Sequence, residues 1–120
     1  MVLRKRSQRS GSELPNLSDR EFLILKALEG NIRQGLYGLE IRGAVASDYG
    51  VRLPLGSLYV MLSRLVEKGF VERIDGEPAS GDPQARRQYY KIAALGAHAV
   101  TAKARLLSSA LVGARTAVRT

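Results

Sequence analysis

Two groups of side chains in this sequence combine hydrogen-bonding reach with positive charge. Ser57, Tyr59, Arg64 and Lys68 fall in a stretch where Leu58, Leu62 and Leu65 recur at spacings of four and three. That spacing marks a helix with a buried stripe. It leaves Ser57, Met61, Arg64 and Lys68 on the other side, with Tyr59 beside Ser57 near the N-terminal end. A groove-reading surface wants one or two hydrogen-bonding groups for base edges and cations for phosphates, and this helix supplies both. An ordinary amphipathic helix with a solvated face fits the same residues. The second group is Arg86, Arg87 and Lys91, in the second part of a segment whose acids, Asp75, Glu77 and Asp82, lie in the first part. A basic returning strand can clamp a phosphate while the outgoing acids turn away. A flexible loop with charges placed at random is the alternative to that clamp.

Other chemistries find little support. The chain has one histidine, His98, with no acidic neighbour in sequence, and no cysteine. Ser-His-Asp and histidine–metal constellations lack their partners, and disulfides and thiolate metal sites are ruled out. Gly35 and Gly38 do not sit in a strand–loop–helix setting, so no phosphate-cradling loop is formed. The sequence therefore reads as a non-enzyme with no cofactor and no metal. No apolar run approaches the ~20 residues of a membrane span. The charged start at Arg4, Lys5 and Arg6 is followed by no apolar stretch, so it is not a secretory signal. A cytoplasmic location fits.

The elements that would position these side chains follow from local signals. Residues 1–16 are polar and basic and predict a disordered arm, either a solvated leader or a tail that touches DNA. Ser18-Asp19-Arg20-Glu21 has the pattern of a capping box, with Leu17 and Phe22 placed as a hydrophobic staple. A first helix runs from there through Leu25 and Leu28 and stops at Gly30. A second spans about Tyr37 to Tyr49, with Ile41, Val45 and Tyr49 on one face and Gly50 as its stop. Val51-Arg52-Leu53 predicts a short strand, since Pro54 keeps Leu53 out of helical geometry. The third helix covers about 55–68 and ends at Gly69. Phe70–Ile74 and Gln88–Ile92 read as strands, with a long loop between them.

From Ala93 onward the chain is rich in Ala and Leu and free of proline, which predicts a long helix. In it Val100, Ala104, Leu107, Leu111, Ala114 and Val118 repeat at 4-3-4-3-4, a heptad seam. Such a seam is either a dimer interface or one helix packed back on its own domain, and a compact domain has little surface left to cover it. Small residues at Ala104 and Ala114 bury little area, so a dimer would need help from the first helix.

This element order specifies a mainly α protein with a small β-hairpin. It is a winged helix-turn-helix over 17–92, whose third helix enters a major groove and whose loop lies over the backbone, followed by a C-terminal dimerisation helix over 93–120. Net charge is +8, with +3 in residues 1–16 and +4 in 93–120. A basic balance attracts nucleic acid or an anionic surface. The near-neutral middle keeps open a winged helix that docks a protein partner instead.

The sequence resembles the PadR-like family of transcriptional regulators over about residues 18–100. The stretches that carry the likeness are Tyr37-Gly38-Leu39-Glu40-Ile41, Leu55-Gly56-Ser57-Leu58-Tyr59, and the run from Leu62 to Val71. Gly76-Glu77-Pro78 and Arg87-Gln88-Tyr89-Tyr90-Lys91-Ile92 with Leu95-Gly96 complete it. The resemblance implies a homodimeric repressor on a palindromic operator of double-stranded DNA, with Tyr37, Tyr59 and the basic wing residues near DNA. Pro54 departs from it by standing where the family often has a capping serine. The single C-terminal helix places the chain with the short members that lack a large effector domain, and any effector is unknown.

Overall fold

A computed structural model of the chain describes residues 17–78 and 86–119. The basic arm over 1–16 and Asp82 of the loop lie outside the described residues. Helix α1 (Asp19–Glu29) starts as the capping signal dictates. The Ser18 hydroxyl accepts from the Glu21 N–H at 3.1 Å, and the Glu21 carboxylate accepts from the Ser18 N–H at 3.0 Å. Two of the helix's orphan donors are thereby satisfied. Leu17 is buried beneath this start and Phe22 is half-buried, as a staple requires. Ile24, Leu25 and Leu28 face inward and are fully buried.

After Gly35, whose φ of 77° is left-handed, come strand β1 (Leu36–Tyr37) and helix α2 (Gly38–Tyr49). Helix α3 (Leu55–Glu67), strands β2 (Val71–Pro78) and β3 (Arg86–Ile92), and helix α4 (Ala94–Arg119) follow. The strands form one antiparallel sheet in the order β1-β3-β2.

Several expectations are corrected here. No strand forms at 51–53. Leu53 is instead a fully buried plug whose carbonyl accepts from Arg42 Nε at 2.9 Å. The third strand is β1, where Leu36 and Tyr37 pair with Tyr90 and Tyr89, so Tyr37 lies on a strand and α2 begins one residue later. Tyr49 is not on the inner face of α2, being 41% exposed. The hairpin is longer than expected, since β2 reaches Pro78 and β3 starts at Arg86, with an irregularity between Asp75 and Pro78.

The core joins Leu58, Leu62 and Leu65 of α3 to Ile24, Leu25 and Leu28 of α1, Ile41 and Val45 of α2, and Val71, Tyr90 and Ile92 of the sheet. Helix α4 contributes Ala99 and Val100, each 2% exposed. This corrects the seam: Val100 is covered by its own domain and cannot serve a partner. From Ala104 to Gly113 every side chain is exposed. The departing helix is held by Lys103, whose Nζ donates to the Leu17 carbonyl at 2.8 Å and lies 3.4 Å from Asp19. A single residue, Ala93, separates β3 from α4, and its N–H donates to the Phe70 carbonyl at 2.9 Å. Gly96 packs against that same carbonyl so closely that no Cβ would fit.

Candidate nucleic-acid interface

The first turn of α3 has no side-chain cap, because its N-cap is Pro54. Its first backbone bond runs from the Leu58 N–H to the Pro54 carbonyl at 2.9 Å. The bond from Arg42 to the Leu53 carbonyl ties the segment just before it to α2.

With the leucine stripe turned inward, steps of about 100° per residue place the remaining α3 side chains. Gly56, Val60, Ser63 and Glu67 stand directly opposite the stripe and are all exposed. Tyr59 lies on one flank. Ser57 and Arg64, also exposed, lie on the other. The expected row Ser57–Met61–Arg64–Lys68 is therefore a flank of the helix, not its outward face. Met61 on this row is half-buried against the core. Lys68 is turned to the fold, with Nζ 3.7 Å from the buried Glu21 carboxylate and 6.0 Å from the Phe70 ring. Val60, Ser63 and Gly56 were missed at the sequence level, although the same helical arithmetic would have found them.

On the Tyr59 flank, the tip of the tyrosine rests on Gly38, in the space where any other residue would carry its Cβ. Beside Gly38, Tyr37 meets Tyr89 edge to face, with ring centroids 5.7 Å apart. The Tyr37 N–H donates to the Glu40 carboxylate at 3.1 Å. The three tyrosines thus connect α3, the start of α2 and the sheet. Lys91 follows on β3, half-buried, its aliphatic stem lying over Gly35. Arg73 on β2 sets its guanidinium 5.9 Å from the Tyr90 ring centroid. Arg86 and Arg87 open β3, with Arg86 opposite Pro78 in the ladder. Their side chains lie outside the described residues.

On the other flank, an open groove of about 580 Å³ runs between α1 and α3, lined by Arg20, Gly56, Ser57, Val60, Met61 and Arg64. Nothing in the sequence pointed to Arg20, which comes from a different helix. The structure therefore does not gather Tyr59 with Ser57 and Arg64. It sets them on opposite sides of one exposed helix.

Three helices, a three-stranded sheet and an open third helix beside the hairpin define a winged helix-turn-helix protein. The transcriptional regulator PadR-like family model matches residues 24–102, and the chain belongs to that family. Solved structures share the architecture. A PadR family transcription regulator from hypervirulent Clostridium difficile R20291 superposes with a TM-score of 0.66 at 21% identity, over 82% of this chain and 96% of that one. A PadR-like transcriptional regulator from Bacillus cereus gives 0.66 at 19% identity, over 84% and 92%. A PadR-like transcription factor from Bacteroides fragilis gives 0.60 at 20% identity, over 98% and 96%. A comparison with curated protein sequences gives no match. Among the described residues no helix is long and apolar enough to cross a membrane.

Proposed function

We propose that this protein is a cytoplasmic homodimeric repressor that binds a pseudo-palindromic operator through α3 and the β2–β3 wing. The observation that carries the reading is the open outer face of α3, exposed from Gly56 to Glu67 and covered by nothing among the described residues. An α-helix fits the major groove, where Ser57, Tyr59 and Ser63 can reach base edges and Val60 can meet a thymine methyl. Arg64, Arg86, Arg87 and Lys91 supply phosphate contacts, while Tyr37 orients the tyrosine cluster. Lys68 acts through the fold, as the partner of Glu21.

The dimer reading is supported by the exposed part of α4. Leu107 and Leu111 of the seam are 47% and 64% exposed, and Leu106 and Val112 beside them are 46% and 58% exposed. Ala104 continues the strip on its N-terminal side, and the side chains of Ala114 and Val118 lie outside the described residues. An apolar strip of this kind on a protruding helix calls for a partner surface, and a second α4 supplies it.

A gel shift against the DNA upstream of the protein's own gene, at two salt concentrations, tests the reading. Tight binding to that DNA over random sequence, weakening steeply with salt, is expected. A chain that ignores DNA at low salt would instead use α3 to dock a protein.

A further inference from the structure

The tyrosine cluster joins the sheet to one flank of α3, whereas a major groove has a phosphate row along each of its walls. A helix with its side chains is about 10–12 Å across and fills a groove about 12 Å wide, so both flanks approach a backbone. Tyr59 and Arg64 lie roughly 140° apart around α3. With the Tyr59 flank joined to the sheet and wing, the Arg64 flank meets the opposite wall. There Arg20, projecting from the first turn of α1, shares the groove with Ser57 and Arg64. Among the described residues neither Arg20 nor Arg64 has an ion-pair or hydrogen-bond partner for its side chain, whereas Lys26, Arg42, Lys68 and Lys103 are all engaged within the fold.

We infer that Arg20, with Arg64, forms a second backbone clamp that binds DNA phosphate on the side of α3 away from the wing. The inference rests on the DNA-binding reading and assigns that reading a residue from α1. The groove has the chemistry for this: two guanidiniums, from Arg20 and Arg64, that bond phosphate oxygens with a planar fork. Because α1 is fixed by its capping box and by Lys103, Arg20 is presented from a rigid base, and the clamp sets the depth at which α3 sits in the groove.

The test measures affinity of the full chain for a mixed-sequence duplex of about 30 base pairs, roughly three helical turns, across a salt series. Each phosphate contact adds about 0.9 to the log–log salt slope. For Arg20→Gln the slope should fall by about one unit, so that the loss of affinity between 50 and 200 mM salt becomes about 3.5-fold smaller than in the wild type. Arg20→Gln/Arg64→Gln should lose about two units, and Arg20→Lys should keep the wild-type slope. Thermal melting of each variant should match the wild type, since Arg20 and Arg64 have no side-chain partner among the described residues. A wild-type slope in Arg20→Gln, or weaker binding at unchanged slope, overturns the clamp and leaves the DNA-binding reading standing. Absence of wild-type binding to any duplex at low salt overturns both.

Discussion

Tyr59 shows how one missing carbon sets a surface. Its ring tip occupies the Cβ space of Gly38, so the tyrosine lies along the start of α2 instead of standing straight out. Gly38→Ala should displace the tip of a flexible side chain and leave the backbone in place. We expect a small change in melting temperature and a clear loss of DNA affinity, measured side by side by calorimetry and gel shift. Unchanged affinity would remove Tyr59 from the site. Ser57→Ala should weaken operator binding by about 1–3 kcal/mol if the hydroxyl touches a base. Arg86 and Arg87 stand where the hairpin returns, a place for phosphate contacts. Replacing both with Ala should weaken operator and random DNA about equally and lower the salt slope by roughly two units. Loss of discrimination at constant slope would show base contact instead. The identities of these residues were legible in the sequence, but their grouping was not. Helical arithmetic separates Tyr59 from Arg64, yet which flank faces the sheet depends on Gly38 and Arg20, which reach α3 from two other helices.

Among the elements, α1 was the most legible because its signals are local. Ser18, Glu21 and Gly30 determine both ends without reference to the rest of the chain. The capping carboxylate also reaches beyond its own helix, since Glu21, only 5% exposed, faces Lys68 at the end of α3. Glu21→Ala therefore removes half the capping box and leaves a lysine beside an emptied site. A loss of about 1–3 kcal/mol is expected, read as a lower urea midpoint at unchanged slope and fixed protein concentration. A midpoint equal to the wild type would mean that solvent already screens the pair. The leucine stripe of α3 was equally plain from its period. Strand β1 was not, because two residues carry no period. Leu36 and Tyr37 become a strand only through pairing with Tyr90 and Tyr89, some fifty positions away in sequence.

For the whole molecule, the open question in the sequence was what covers the α4 seam, and the answer divides the helix. Val100 is covered by the domain; Leu107 and Leu111 are not. Periodicity cannot make that division, since it depends on where α1 ends up lying against α4. Leu107→Asp with Leu111→Asp should place charges in the proposed dimer interface at a cost of several kcal/mol if they stay buried. The variant should sediment as a monomer that keeps a folded core and only weak, non-specific DNA binding. A dimer with normal operator affinity would show that pairing uses another surface. Two-fold pairing further predicts half-sites about one helical turn (~10 bp) or a multiple apart, which footprinting on the bound DNA would reveal.

The joint at Ala93 bears on how such a protein can diverge. Most connections between elements tolerate added or deleted residues. Here one residue links the wing strand to α4, its N–H is committed to the Phe70 carbonyl, and Gly96 closes on the same atom. One inserted codon that extended α4 would turn it by about 100° relative to the wing, setting the packing of Ala99 and Val100 in the core against the new position of Leu107 and Leu111. In the proposed dimer, point substitutions on α3 would alter which bases are read while the distance between two half-sites stays as it is. In that dimer a change of length at Ala93 would alter the distance only at the expense of the contacts that anchor α4.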